Sequence, residues 1–426
     1  MNHNKQGTTK PAILFMAKSD YSYDTLVPII REAQKRDYSP VALIYHSQSD
    51  SLKQKLSGID VPWIEKSYHK KSLLPFYYRH LSSYAKQILV NYDPVALVGI
   101  SEKKIPEIFL LNQARKKSVP FVLVQWAFTY PQDYYESLRT KNGKQHGFLD
   151  NCFRFYNDLI NRLWKINNIY SDAYGGGRGD VFCVIGPHFA HQAQKQGIPE
   201  EKIKITGHPF FDRLYELERS PCNKLKESIL QKLDVPSNKL HSSVILYTSQ
   251  PLTHFKITDA NTQKEEMLKL VNILSAKRDH LVVIKLHPRE DIGFYPFLSS
   301  KYDNVKIVRD FDLAGLMRIS DLVISRFSTT LLYAVAMKKP VIILDTVRIR
   351  AKEYYSQYGA AVKIADLDHL ARTIDEISDD EKLRAKLCQG CERMQKDFFI
   401  YDGMISKRIM DIVEQYIRQK REMRLK

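Results

Sequence analysis

Short apolar runs alternate with amphipathic stretches along most of this chain. Residues 13–16 form an apolar run, residues 24–36 carry apolar side chains at helical spacing, and residues 41–45 form a second apolar run. Strand, polar loop, helix and strand in this order make a βαβ unit, so the pattern predicts a parallel sheet. Apolar runs at 95–100 and 121–124 extend this prediction through the N-terminal half.

A second series of the same kind begins after the polar stretch 235–238. Its apolar runs lie at residues 244–247, 281–286, 305–308, 322–325 and 341–344. Two successive series predict an α/β protein made of two doubly wound, Rossmann-like domains that face each other across a cleft.

The two series also set the expected domain boundaries. We expect an N-terminal domain at residues 1–215, a C-terminal domain at 216–400, and a final helix at 401–426 that packs back on the N-terminal domain. Between about 128 and 179 the pattern becomes irregular, which indicates an insertion. The glycine cluster at 175–179 is expected at its tip, because no strand precedes the cluster; a hinge or a phosphate contact is the alternative.

Composition narrows the class of protein. The 426 residues are 44% hydrophobic and 27% charged, as in soluble globular proteins, and the formal net charge is +17. This charge favours an anionic partner, such as a phosphorylated substrate or an acidic membrane. No apolar run reaches the roughly 20 residues of a membrane span, so we expect a cytoplasmic protein with at most peripheral contact at the inner membrane face. No nucleic-acid-binding motif is visible, and no nucleic acid partner is expected.

One N-terminal stretch, residues 63–86, mixes basic and aromatic side chains around the apolar cluster 73–78. Mixed basic and aromatic residues suit the surface of an anionic membrane. The alternative is an ordinary amphipathic helix that packs its aromatic face inward.

The strongest candidate chemistry follows the apolar run that ends at Leu286. His287 stands where this strand ends, and Pro288 fixes the turn after it. Ligands of doubly wound sheets bind at the carboxyl ends of strands, so an imidazole there can donate to a phosphate oxygen and, if protonated, offset leaving-group charge. Arg289 adds a bidentate phosphate donor.

A hydroxyl-rich loop follows another strand of the same half. Ser328, Thr329 and Thr330 begin a predicted helix, with Ser328 as N-cap and the backbone N–H groups of the two threonines open to an anion. Ser249 and Gln250 hold the equivalent place after the first strand of this half and are further candidates for contacting the phosphate.

In the N-terminal half the candidates are acids at strand ends. Asp20 and Glu102 qualify by position as the general base that activates an acceptor hydroxyl. His208 lies near the junction of the two halves, where it either contacts ligand in the cleft or shapes a turn. The glycine fingerprint G-x-G-x-x-G does not follow the first strand, which disfavours a dinucleotide dehydrogenase.

Several motifs together resemble the GT-B glycosyltransferase superfamily. They are Ile205-Thr206-Gly207-His208-Pro209-x-x-Asp212, Thr248-Ser249-Gln250-Pro251, Lys285-Leu286-His287-Pro288, Ile324-Ser325-x-x-Ser328-Thr329-Thr330, Lys339-Pro340-Val341-Ile342 and Asp402-Gly403. Within that superfamily the chain looks most like CDP-glycerol glycerophosphotransferases and capsule-polysaccharide transferases, and more distantly like UDP-N-acetylglucosamine 2-epimerases.

The resemblance implies a metal-independent transferase without a cofactor, whose C-terminal domain binds a nucleotide-activated donor through His287 and the loop 328–330. The implied reaction moves a sugar or glycerol phosphate to a glycan or glycolipid acceptor during surface polysaccharide synthesis. A sugar-nucleotide epimerase of the same fold is the alternative. Tyr333 and Ala334 occupy the stretch where many sugar-nucleotide transferases carry a ribose-binding Glu, which leaves CMP- and CDP-linked donors open beside UDP-linked ones.

Overall fold

The computed structural model describes residues 10–17, 20–45, 53, 56–66, 74–127, 162–164, 169–171, 173–236, 243–255, 257–295, 302–346 and 353–425. The chain divides into two compact units, each described by itself below. The first contains Met1–Asp212 and Phe398–Lys426, and the second contains Arg213–Asp397.

A parallel sheet of seven strands forms the centre of the first unit. The strands are β1 (Ala12–Ala17), β2 (Ser39–Tyr45), β3 (Trp63–Lys66), β4 (Ala96–Gly99), β5 (Phe121–Val124), β6 (Val181–Val184) and β7 (Ile203–Ile205). They lie in the order β3-β2-β1-β4-β5-β6-β7. Every residue of β4, β5 and β6 is buried, as expected for parallel strands covered by helices on both faces.

Helices connect these strands in the predicted alternation. Those within the described residues of this unit are Asp20–Lys35, Leu74–Asn91, Ile105–Lys116, Pro187–Lys195 and Ile405–Leu425, with a short 3-10 turn at Glu200–Lys202. The helix Phe210–Arg219 crosses the boundary between the units.

The C-terminal helix Ile405–Leu425 belongs to the first unit, although 185 residues of the second unit precede it in sequence. Its first amides, those of Ile405 and Ser406, donate to the buried carboxylate of Asp212 at 3.0 and 2.7 Å. A carboxylate at this position satisfies amides that the helix itself leaves unpaired. Farther along the helix, Asp411 pairs with Arg36 at 2.7 Å. The chain is thereby anchored back on the unit in which it began.

The glycine cluster at 175–179 is buried, which does not fit its predicted place at the tip of an insertion. Gly177 and Gly179 donate their backbone N–H groups to the two oxygens of Glu102 at 2.8 and 2.9 Å. A Cβ on Gly177 would lie 2.5 Å from the carboxyl carbon of Glu102, so only glycine allows this approach. Residues 128–161 of the predicted insertion lie outside the described residues.

A second parallel sheet, of six strands, forms the centre of the second unit. The strands are β8 (Ser243–Thr248), β9 (His280–Lys285), β10 (Val305–Val308), β11 (Leu322–Ser325), β12 (Val341–Leu344) and β13 (Val362–Ile364). Their order is β10-β9-β8-β11-β12-β13, the arrangement of a doubly wound fold. The helices are Cys222–Lys232, Ala260–Ser275, Leu313–Ile319, Thr330–Ala336, Glu353–Gln357, Leu370–Asp379 and Glu381–Phe398, with a 3-10 turn at Ile292–Phe294.

A continuous apolar core lies beside this sheet. Ile245, Val282 and Ile324 of three neighbouring strands are fully buried and pack with Leu270 and Ile374 of two helices. The apolar runs in the sequence therefore correspond to the strands. The polar residues that follow them lie at the edge of the sheet. Within the described part of the chain, no helix is both long and apolar enough to cross a membrane.

The anchoring of the last helix gives a testable expectation. Replacing Asp212→Ala leaves the Ile405 and Ser406 amides without their acceptor and should destabilise the first unit by about 1–3 kcal/mol. All three tryptophans of the chain, Trp63, Trp126 and Trp164, lie in this unit, so tryptophan fluorescence during urea unfolding reports on it.

Hydrogen exchange localises the effect, because amides of residues 405–412 should exchange faster in the variant. The control is Glu200→Ala, since Glu200 is an exposed acid of the same unit. Equal unfolding midpoints for Asp212→Ala and this control would contradict the anchoring role.

Candidate functional site

The carboxyl edge of the second sheet brings together most of the predicted phosphate-binding residues. Thr248, the last residue of β8, is paired in register with Lys285 of β9 on one side and Ser325 of β11 on the other. From β8 the chain continues to β9, whereas from β11 it continues to β12 on the opposite side. This divergence is the topological switch point at which doubly wound folds bind ligands.

Three hydroxyl groups form a linked cluster at this point. Thr248 donates its Oγ1 proton to Ser325 Oγ at 2.7 Å, and Ser325 in turn donates to the carbonyl of Thr248 at 3.2 Å. Since the single proton of Thr248 is used, Thr330 Oγ1 must be the donor in its 2.8 Å contact with Thr248 Oγ1. The predicted ligand-facing hydroxyl of Thr330 instead ties the start of its helix to β8.

The loop before that helix also differs from the prediction. The helix begins at Thr330 and has only seven residues, with Thr329 in the capping position and no side-chain cap. Ser328 Oγ accepts the N–H of Thr330 at 3.2 Å, a local serine turn. The expectation that Ser328 is the N-cap and leaves the Thr330 amide open to an anion is therefore wrong.

His287 lies at the same edge, two residues after the end of β9. Its Nδ1 accepts the backbone N–H of Arg289 at 3.1 Å, so a neutral ring must carry its proton on Nε2. Burial lowers the pKa of His287 to about 4, and the neighbouring Arg289, Lys285 and His254 act in the same direction. The side chain is therefore a neutral donor at neutral pH, whereas the sequence allowed a protonated one.

Glu290 is a residue of this site that the sequence reasoning missed. Its carboxylate is buried and accepts four hydrogen bonds from groups without charge. The donors are Ser249 Oγ, His287 N at 3.0 Å, Gln263 Nε2 at 3.1 Å and Tyr295 OH at 3.0 Å. The only sequence signal is an acid three residues after His287, and acids just beyond a strand are more often exposed.

Ser249 and Gln250 hold the loops of the site together. Ser249 Oγ donates to Glu290 and accepts the backbone N–H of His287 at 3.1 Å. Gln250 Oε1 accepts the backbone N–H of Phe327 at 3.2 Å. Both side chains are buried, so in this structure they position the loops that carry His287 and Ser328.

Aromatic and charged residues complete the edge. The exposed ring of Phe255 lies 6.4 Å from the rings of both His287 and Phe327, measured between centroids. Arg326, which follows β11, is buried and pairs with Glu266 at 2.7 Å. Arg289 is exposed, so its guanidinium group can reach a phosphate that arrives from solution.

The two candidates for a general base, Asp20 and Glu102, belong to the first unit. Asp20 is the first residue of the helix Asp20–Lys35, and its side chain lies outside the described part of the structure. Glu102 is buried and both its oxygens accept backbone amides, an arrangement that holds the glycine segment. This geometry corrects the prediction of Glu102 as an open general base at a strand end.

His208 is likewise engaged within its own unit. Its Nδ1 accepts the N–H of Phe210 at 3.2 Å, so Nε2 carries the proton and donates to the carbonyl of Trp126 at 2.9 Å. Burial lowers the pKa of His208 to about 4. With both ring nitrogens used, His208 shapes the turn, the second of the two predicted roles. Among the described residues, no group of three His, Cys, Asp or Glu side chains is placed to hold a metal ion.

A family of known proteins matches the part of the chain that contains this site. The sequence model of the UDP-N-acetylglucosamine 2-epimerase family matches residues 179–414, more than half of the chain. The chain belongs to the UDP-N-acetylglucosamine 2-epimerase family. The matched range contains the whole second unit and every loop of its carboxyl edge described above. A search of curated protein sequences gives no match.

Solved structures of this family and of related transferases share the fold. UDP-GlcNAc 2-epimerase from Neisseria meningitidis, bound to UDP-GlcNAc, is 15% identical with a TM-score of 0.62, covering 96% of this chain and 100% of its own. The wall teichoic acid polymerase TagF, soaked with CDPG, is 16% identical with a TM-score of 0.59, covering 98% and 91%. A glycosyltransferase from Rickettsia africae is 17% identical with a TM-score of 0.57, covering 96% and 99%.

These similarities confirm the predicted α/β class with two Rossmann-like units. The sequence motifs predicted a greater similarity to the transferase branches than to the epimerases. That ranking is corrected by the match to the 2-epimerase family.

The environment of Glu290 predicts a large effect on stability. In Glu290→Ala, the donors Ser249, Gln263 and Tyr295 lose their acceptor inside the protein, which should destabilise the second unit by about 3 kcal/mol or more. Hydrogen exchange of β8 and β9 measures the change within this unit. The matched control Glu265→Ala removes an exposed acid of the same unit and should stay within about 0.5 kcal/mol of the unaltered protein. Equal protection in the two variants would refute the assigned role.

The neutral His208 predicts a pH dependence of stability. The unfolded state takes up a proton near pH 6.5, whereas the folded state does so only near its pKa of about 4. Stability from this group is therefore complete above pH 6.5 and is lost as the pH falls towards 4, by up to about 3 kcal/mol.

Urea unfolding at pH 7.5 and 4.5, followed by tryptophan fluorescence, compares the unaltered protein with His208→Gln. His188 of the same unit also has a pKa lowered to about 4 by burial, but it is present in both proteins and cancels. The variant should lose less stability on acidification, and equal losses in the two proteins would contradict the prediction.

Proposed function

We propose that the protein is a nucleotide-sugar enzyme that holds the diphosphate of its substrate at the carboxyl edge of the second sheet, and that it epimerises carbon 2 of a UDP-linked N-acetylhexosamine. The observation that carries this proposal is the family match across residues 179–414, which spans all loops of that edge. UDP-GlcNAc bound to the Neisseria meningitidis relative supports the choice of nucleotide sugar.

The geometry of His287 suits the departure of a diphosphate. Breaking the bond between the anomeric carbon and the diphosphate leaves negative charge on the phosphate oxygen. The neutral imidazole offers an Nε2 proton to that oxygen, and its orientation is fixed by the Arg289 amide at Nδ1. A donor fixed in advance stabilises charge that develops in the transition state. Arg289 supplies the positive charge that the neutral ring lacks.

Transfer of a glycosyl or glycerol phosphate group is the second candidate function. The likeness to the polymerase TagF points to this reaction class, with a CDP-linked donor. Tyr333 stands, buried, in the stretch where many sugar-nucleotide transferases carry a ribose-binding Glu, which leaves CMP- and CDP-linked donors open beside UDP-linked ones. In that case the acceptor is a glycan or glycolipid, and no metal ion or further cofactor takes part.

Product analysis separates the two reactions. Purified protein incubated with UDP-N-acetylglucosamine alone should yield UDP-N-acetylmannosamine, detected by proton NMR, because epimerisation needs no acceptor. A transferase would instead leave the nucleotide sugar unchanged until an acceptor is added. Thermal shifts with UDP, CDP, CMP and GDP identify the nucleotide independently of turnover, since a bound ligand stabilises the folded protein. Absence of both binding and conversion across this panel would refute the proposal.

The role of His287 is tested by His287→Asn. Asparagine keeps an oxygen that can accept the Arg289 amide but removes the Nε2 donor, so kcat should fall about 100-fold or more with little change in melting temperature. His254→Asn is the matched control, because His254 is an exposed neighbouring histidine, and its kcat should stay near that of the unaltered enzyme. Unchanged turnover in His287→Asn would remove His287 from the mechanism.

A further inference from the structure

The helix Leu74–Asn91 in the first unit has two different faces. Its inner face is apolar, with Leu81, Ala85 and Ile88 buried. Tyr78 on this face packs against Phe109, with a centroid distance of 5.3 Å. The inner face therefore agrees with the alternative prediction, an amphipathic helix that packs its aromatic face inward. This packing does not account for the residues of the outer face.

Two apolar side chains stand out on the outer face. Phe76 is 66% exposed and Val90 is 64% exposed, although both are of types that usually lie inside proteins. They are separated by fourteen positions, close to four helical turns, so they lie on one side of the helix about 21 Å apart. Two apolar contacts at this spacing suit a partner that is flat over the length of the helix.

The charged residues between them are all basic. Arg79, His80 and Lys86 are exposed, and none forms a salt bridge with a residue in the described part of the chain. The sequence 74–91 contains no Asp or Glu, and His69-Lys70-Lys71 precedes it. A solvated surface helix ordinarily mixes both signs of charge, so this face selects an anionic partner. We call Phe76, Arg79, His80, Lys86 and Val90 the basic face.

We propose that the basic face docks on the surface of an anionic phospholipid bilayer. An interfacial helix places its apolar side chains at the boundary of the acyl chains while cationic residues remain among the headgroups. Long basic side chains reach the phosphates from either side of the helix axis. A bilayer supplies both requirements at once, whereas a nucleic acid offers no apolar layer to Phe76 and Val90.

This inference goes beyond the proposed function and does not depend on it. The net charge of +17 adds a long-range attraction towards the same surface.

Sedimentation with vesicles tests the proposal with the full chain. The protein should bind vesicles of phosphatidylcholine mixed with phosphatidylglycerol, and it should not bind phosphatidylcholine alone. Binding should weaken as salt is raised, because screening reduces the electrostatic part. Lack of binding to the anionic vesicles at low salt, or equal binding to both kinds of vesicle, would overturn the proposal.

Matched variants assign binding to the basic face. The double variant Arg79→Glu with Lys86→Glu should lower the partition coefficient about tenfold or more, and Phe76→Ser should lower it as well. The controls are Lys382→Glu with Lys386→Glu, which change the net charge equally at exposed sites of the second unit, and Ile292→Ser, which removes an exposed apolar residue there.

Equal losses in the variants and their controls would show attraction by net charge alone and would overturn the docking face. Melting temperatures establish that each variant is folded. A matched measurement with RNA tests for a general polyanion site. If the unaltered protein binds RNA but no vesicles, and the variant of Arg79 and Lys86 loses the RNA binding, the proposal is also rejected.

Discussion

Burying a carboxylate costs solvation free energy, which well-placed hydrogen bonds offset. Glu290 meets this condition through Ser249, Gln263 and Tyr295 together with the amide of His287. The donors come from the ends of two strands, from a helix and from a following turn. Satisfying one carboxylate therefore fixes the relative positions of all these elements, and the orientation of His287 follows from them.

The same use of buried acids recurs in the first unit. Glu102 holds the amides of Gly177 and Gly179, and Asp212 holds those of Ile405 and Ser406. In each case a carboxylate joins segments that are far apart in sequence. The amide donors supply hydrogen bonds that each carboxylate loses to water on burial. An acid that follows a strand in this fold can therefore hold backbone amides in place instead of acting in catalysis.

This explains which predictions from sequence succeeded. The apolar runs at 281–286, 322–325 and 341–344 became β9, β11 and β12 because a strand buried on both faces must be apolar along its length. His287 could be placed at the sheet edge for the same reason, since it directly follows such a run. The buried glycine segment, the partner of Thr330 and the role of Glu290 depend on contacts between distant residues, and no local pattern in the sequence encodes such contacts.

Epimerisation and glycosyl transfer both require the second unit to stabilise a departing diphosphate. Both proposed sugar reactions break the bond between the anomeric carbon and a diphosphate, so both benefit from a neutral donor at His287 and a charge at Arg289. They differ in the proton that a base must remove: epimerisation takes the proton from carbon 2 and returns one on the opposite face, with the bond to the diphosphate formed again, whereas transfer takes the proton of an acceptor hydroxyl that then bonds to the anomeric carbon. One carboxyl edge can thus serve either reaction, and the difference between them must come from residues other than those that hold the diphosphate. This is why the fold, which this chain shares with an epimerase at 15% identity and with a polymerase at 16%, does not by itself select the reaction.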